Sequence, residues 1–339
     1  MRVGTFSIYD QLAGYMDQNI SNISQIQNEL SSGKKFSKTS DDVIGATNAM
    51  DYNLELDQDS RYKNGIDNAS ALLGDASTAV QSTVDALNSA KEIALQGANG
   101  ATSGTDMAAL AQQAYAIRDE LLGYANTKTA AGESVFAGFK TRSDAFNGST
   151  YAYQGDNNII NAQVSNSQQL AVNVPGGAAF SYSLSGPVTT TGSDGTAVTY
   201  TPTANADGTT TINVQIVNSG ANVNESFSFS NFMQLANELG DALNSGDTRK
   251  VNALLTPLDD ASNQAVSVSA DIGARQNRLT TQESANMTDQ TNAQALLSDV
   301  QDTDLAGATT KLAEYQTILQ AVRQSTASIV SNSLLDFLK

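Results

Sequence analysis

The chain has no histidine, no cysteine and no tryptophan. Without histidine it lacks the commonest general base and the commonest metal ligand. Without cysteine it has no thiol nucleophile, no thiolate zinc site and no disulfide, and cysteine usage is silent about the redox compartment. Lys and Arg are scarce: 18 against 35 Asp and Glu, a net charge of −17. That balance disfavours nucleic acid, whose phosphates are neutralised by Lys and Arg, and disfavours an anionic membrane surface. No apolar run reaches the ~18 residues of a membrane span. The start, Met1-Arg2-Val3-Gly4-Thr5-Phe6-Ser7, lacks the apolar core of a secretory signal. The expectation is a cytoplasmic protein, or one secreted without a cleaved signal peptide.

Proline is rare as well. Pro175, Pro187, Pro202 and Pro257 are the only four, and three lie in the middle third. The two flanks are therefore open to long uninterrupted helices. The middle also lacks basic residues, with none between Arg142 and Arg249. At 339 residues and 40% hydrophobic content the chain has room for two or three globular domains.

What is present is a heptad texture at both ends. Near the C-terminus, Leu305, Ala308, Leu312, Tyr315, Leu319, Val322, Thr326 and Ile329 keep a seven-residue beat, closed by Leu334, Leu335 and Phe337. Near the N-terminus, residues 5–32 read as a helix in which Met16, Ile23, Ile26 and Leu30 follow the heptad. Leu12 and Ile20 lie beside them, and Asn19 interrupts the seam. A narrow stripe cannot bury itself, so each terminal helix is expected to be the other's partner. Gly33 suits a left-handed helix stop, and Ser40-Asp41-Asp42 offers a cap for the next helix.

Between these ends the pattern predicts helices over about 42–62, 64–95 and from Thr105 or Asp106 to Tyr124. Residues 145–228 change character. They are rich in Thr, Ser, Asn and Gly, with alternating stretches at 151–153, 170–174, 180–184, 198–200, 211–217 and 227–229. Asp194-Gly195, Asp207-Gly208 and Asn218-Ser219-Gly220 separate some of them as turns. Helical texture returns at Phe232 and continues past Pro257. The expected fold class is mainly α with a β insertion: an elongated rod with paired terminal helices in a coiled coil, a long-helix bundle, and an antiparallel β domain at the tip. The expected domains are 1–40 with 300–339, 41–144 with 229–299, and the inserted 145–228.

The chemistry-bearing candidates are few. Asp299, Asp302 and Asp304 are close together but lack the 12-residue calcium loop with its central Gly and closing Glu, and read as a solvated helix start. Tyr151, Tyr153, Phe180, Tyr182, Tyr200 and Phe227 read as strand core before they read as a ligand platform. No catalytic, cofactor or metal site is expected, and no enzyme.

Several motifs, in order, resemble bacterial flagellins and their junction relatives. They are Ile20–Leu30 with Ser31-Ser32-Gly33-Lys34-Lys35 and Ser40-Asp41-Asp42, then Leu87–Gly100, then Gly273–Leu279, then Asp304 to Leu338. The segment Glu133–Thr141 resembles the hairpin motif of the junction branch, and Met1-Arg2-Val3 lacks the Asn-rich filament opening. The resemblance implies a structural adapter joining hook to filament, exported by the flagellar type III route and located outside the cell at the hook–filament junction. It implies as partners neighbouring copies in a ring, a first junction protein, flagellin and an export chaperone. It implies that the terminal stripes, including Leu12, Met16, Ile20 and Leu305, serve subunit assembly. A filament subunit, or an adhesin or glycan-binding module carried by the β insertion, are the alternatives.

Overall fold

The computed structural model describes residues 2–99, 103–192, 195–205, 208–218 and 220–337; side chains of residues 2–6, 8, 9 and 329–337 lie outside the description. In chain order the elements are α1 (Arg2–Ser32), α2 (Val43–Ala98), α3 (Gly104–Ala125), β1 (Asn161–Gln163), β2 (Gln169–Ala171), α4 (Gly176–Ala179), β3 (Val188–Thr191), β4 (Ala197–Ala204), β5 (Thr210–Asn218), β6 (Val223–Phe229), α5 (Phe232–Asn244), α6 (Thr248–Gln301) and α7 (Leu305–Phe337). They divide into two compact units, Met1–Ser60 with Met287–Lys339, and Arg61–Asn286.

The first unit holds α1, α7 and the adjoining ends of α2 and α6. Helix α1 stops at Gly33, whose φ of +71° places it in the left-handed region that glycine tolerates best. The chain then crosses the turn that precedes α7. Lys34 bridges Asp302 in antiparallel fashion, the Lys35 N–H donates to the Gln301 carbonyl at 2.7 Å, and the Thr303 N–H donates to the Gly33 carbonyl at 2.9 Å. These backbone bonds pin the end of α1 to the start of α7, and the two helices pack together antiparallel. Asp42 caps α2 through its carboxylate, which accepts from the Gly45 N–H at 2.9 Å.

Helix α2 is one element of 56 residues where the sequence pattern predicts two. Gly65 falls inside it without breaking it, and the Lys63–Asp67 ion pair at 2.8 Å spans the expected gap at helical spacing. Helix α3 starts slightly early: its cap is Ser103, whose hydroxyl accepts from the Asp106 N–H at 3.2 Å. Part of the preceding loop, Gly100 to Thr102, lies outside the described residues, as do Asp194, Asp207 and Ser219 of the expected turns.

The second unit carries the main core. A four-stranded antiparallel meander, β3-β4-β5-β6, sets Tyr200 opposite Val214 and Ile212 opposite Phe229. Along β5, Ile212, Val214 and Ile216 are buried while Asn213 and Gln215 face out, the period of two expected of a half-buried sheet. Phe136, Phe146, Phe180, Phe229 and Phe232 are fully buried in the same core. Phe180 sits among three of them, with ring centroids 4.8 Å from Phe136, 5.8 Å from Phe146 and 6.4 Å from Phe232. The rings come from loop residues, the residue that follows α4, and α5, and the cluster joins the β insertion to the helices.

Two expected strands are reduced to isolated bridges. Residues 151–153 follow a turn in which the Asn147 carboxamide oxygen accepts from the Ser149 and Thr150 N–H groups at 2.8 and 2.9 Å, and only Tyr153 of the stretch bridges, antiparallel, to Phe146. Tyr151 then sits at φ +58°, off the extended region. Residues 180–184 follow α4, which Pro175 opens, and only Ser181 makes a bridge, to Asn231. The stretches at 170–174, 198–200, 211–217 and 227–229 overlap β2, β4, β5 and β6.

Helix α6 runs 54 residues with Pro257 inside it. Proline lacks the N–H that would donate to the Ala253 carbonyl one turn earlier. The buried Tyr200 hydroxyl donates to that carbonyl instead, at 2.7 Å. Further along, Arg275 donates to the Asn173 carbonyl at 2.8 Å and pairs with Asp271, holding the segment after β2 against α6.

Candidate assembly surface on the terminal helices

The seam of the α1–α7 pair is written in burial. On α1, Leu12, Met16, Asn19, Ile23, Ile26 and Leu30 are half-buried or buried, at alternating spacings of four and three. On α7, Ala308, Leu312, Tyr315, Leu319, Val322 and Thr326 do the same. Asn19 therefore belongs to the seam, and its side-chain N–H donates to the Tyr15 carbonyl of its own helix at 2.9 Å. Ile20 and Leu305 do not belong: they are 47% and 57% exposed. Ile20 is one residue round the helix from the seam, and Leu305 is the first residue of α7, facing away at the turn. Ile8, Ile329, Leu334, Leu335 and Phe337 fall within helices, but their side chains lie outside the described residues.

This unit has little interior. Among its described residues the buried apolar side chains are Ile26, Phe36, Ala49, Ala293 and Ala308. Against them stand exposed Tyr15, Val43, Ile44, Met50, Leu54, Leu296 and Ile318, besides Ile20 and Leu305. Large apolar side chains left in water on a unit with so little interior make this a candidate contact surface. The heptad register already places Asn19 at the seam, as its polar interruption. The stripe of Val43, Met50 and Leu54 on α2 was missed, although its spacing of seven and four is itself a helical face.

Asp59 is one of the few interior groups here, 8% exposed. Burial raises its carboxyl pKa above the usual carboxylate value, and the charges of Asp289 and Glu55 push the same way. The acids at 299–304 serve the turn. The Asp304 carboxylate accepts from the Ala306 N–H at 3.1 Å as the cap of α7, and the Ser298 hydroxyl donates to Asp302. No group of three His, Cys, Asp or Glu side chains suited to a metal ion occurs among the described residues. Lys91, on α2 in the second unit, is ion-paired with Asp259 of α6. The aromatics of the insertion are core: Tyr153, Phe180, Tyr182 and Tyr200 are buried, and Tyr151 and Phe227 half-buried.

Residues 3–141 match the bacterial flagellin N-terminal helical region, and residues 255–338 match the bacterial flagellin C-terminal helical region. The chain belongs to the bacterial flagellin family. The two matched regions are the sequence flanks, and they leave the whole β insertion outside. Among relatives of this flagellin-family chain, flagellar hook-associated protein 3 of Salmonella typhimurium is 27% identical over 180 residues, 53% of this chain and 57% of the relative. The Escherichia coli protein of the same name is 28% identical over the same shares. The chain thus spans a little over half the length of these curated relatives. Flagellar hook-associated protein-3 from Legionella pneumophila shares the fold, with a TM-score of 0.58 at 23% identity, covering 74% of this chain and 98% of that one.

Proposed function

We propose that this chain is a non-enzymatic adapter of the bacterial flagellum that joins the hook, through a first junction protein, to the flagellin filament. The observation that carries the reading is the first unit: an antiparallel α1–α7 pair with a thin interior and many exposed apolar side chains. A body built this way gains most of its burial from neighbours, which is what a ring of copies between two other proteins supplies. The similarity to proteins named flagellar hook-associated protein 3 supports the same place of work. In this reading the seam residues Leu12, Met16, Ile23, Ile26, Leu30, Leu312, Tyr315, Leu319 and Val322 hold the pair. Their exposed neighbours Ile20 and Leu305 meet adjoining subunits. The chain is taken to the cell exterior by the flagellar type III route, with an export chaperone holding its terminal helix in transit. The β insertion, residues 145–228, faces outward.

The test is a truncation ending at Asp304, produced in cells that lack the native copy. The expected outcome is that filaments are absent although the hook is present. Normal filaments with the truncated chain would overturn the reading.

A further inference from the structure

One turn in the second unit displays an aromatic side chain with unusual insistence. Phe139 is 60% exposed, on a loop whose backbone has little freedom. Gly138 before it has φ +67°, and a Cβ there would stand 2.3 Å from the Asp156 carbonyl oxygen, so glycine is required. The Asp156 carboxylate accepts from the Phe139 N–H at 3.0 Å. Lys140 donates its ammonium to the Gln154 carbonyl at 3.0 Å, and the Ser143 hydroxyl donates to the Lys140 carbonyl at 3.0 Å. Buried Val135, Phe136 and Ala137 anchor the turn from below. An apolar ring held in water by a pre-set loop loses little entropy when something covers it.

Beside the ring, Arg142 is exposed and makes no ion pair among the described residues. Lys63, Lys91, Arg118, Lys128, Arg249, Lys250 and Arg275 are each paired with an acid of their own chain, whereas Arg142, like Lys38, Arg61, Arg278, Lys311 and Arg323, is in no such pair among the described residues. In a chain of net charge −17, copies repel one another unless an uncommitted cation meets an acid across the contact. Aromatic and Arg side chains together are the usual anchors of protein contacts.

The same chain carries the matching surface. Val43, Met50 and Leu54 form an exposed apolar face of α2, and Asp51 and Glu55 stand next to it, one turn apart. We propose that the Phe139–Arg142 knob of one copy docks on this stripe of a second copy, Phe139 on the apolar face and Arg142 against Asp51 and Glu55. Knob and stripe are different patches, so the contact is head-to-tail and propagates from copy to copy. The proposal rests on the reading that copies of this chain assemble side by side.

The chain has no cysteine, so engineered pairs report cleanly. Full-length Phe139→Cys and Met50→Cys chains are co-produced in cells lacking the native copy, and isolated flagella are oxidised. Disulfide-linked pairs containing one of each chain are expected, with none from either variant alone. Arg142→Glu should cut incorporation into flagella by about tenfold or more, with Glu55→Arg in the same chain restoring it. The melting temperature of each purified variant shows that an exposed substitution has left the fold intact. Absence of the mixed disulfide, or normal incorporation of Arg142→Glu, overturns the docking while leaving the adapter reading in place. If the wild-type chain itself is missing from isolated flagella, the adapter reading is what fails.

Discussion

The Tyr200 hydroxyl donates to the Ala253 carbonyl, the acceptor that Pro257 leaves without a helical donor. A strand residue thus completes a hydrogen bond of a helix 53 positions away in sequence. The proline is tolerated because the sheet supplies what the helix cannot.

Tyr200→Phe should therefore destabilise the chain by about 1–3 kcal/mol, the cost of a buried carbonyl left unpaired. Pro257→Ala restores the helical N–H and should remove much of that penalty in the double variant. A double-mutant cycle by chemical denaturation reads the coupling directly. Strictly additive effects would show that the two residues do not share the carbonyl.

Alkaline pH should unfold the chain through its phenols. Burial pushes Tyr153 and Tyr200 up from 10.0 to about 12, and burial with the hydrogen bond to Asp241 does the same for Tyr115. Burial and its bond to Asp260 push Tyr182 further in the same direction. The folded chain keeps these phenols protonated while the unfolded chain ionises them. The stabilisation is complete below pH 10.0 and is lost as pH rises toward about 12. Tyrosine ionisation followed by ultraviolet absorbance should coincide with loss of structure by circular dichroism. Ionisation well before unfolding would contradict the burial of these hydroxyls.

Asp59 gives a prediction of the same sign in the acid range. Its raised pKa means that the folded chain binds its proton more tightly than the unfolded chain does. Stability from this group therefore falls as pH climbs from the ordinary carboxylate value of 3.8 through the folded pKa. Asp59→Asn should raise the melting temperature at neutral pH and have no benefit below pH 3.8, where the wild-type group is already protonated. A melting series across that range checks both halves. A lower melting temperature at neutral pH would mean that the charged carboxylate is favoured in the fold.

The α1–α7 seam should discriminate between adjacent residues. Ile26→Ala removes a buried seam side chain and should cost about 2 kcal/mol or more, while Ile20→Ala, off the seam, should stay within about 0.5 kcal/mol. Hydrogen exchange on α1 and α7 in the free chain separates the two. Equal effects would mean that the observed register is not the one that holds the pair.

Much of this was readable in the residues. The heptad beat located α1 and α7, and the Thr- and Asn-rich middle located the sheet, because both depend on simple periodicities. The family motifs at Ser31–Asp42 and Gly273–Leu279 pointed to the flagellin resemblance. What periodicity could not supply was context. The 151–153 strand shrank to the single Tyr153–Phe146 bridge beyond a turn that the Asn147 side chain holds. The break expected near Asn64 lost to continuous packing of α2. Ile20 looked like seam because an isoleucine invites burial, yet its angular position puts Asn19 inward instead. The Tyr200–Ala253 bond and the display of Phe139 depend on residues far apart in sequence, or on loop geometry, and carry no local pattern.

The adapter account meets its most direct test in immunogold labelling of intact flagella with antibody against this chain. The account predicts label confined to the boundary between hook and filament. Label distributed along the whole filament, or absent from the flagellum, would contradict it.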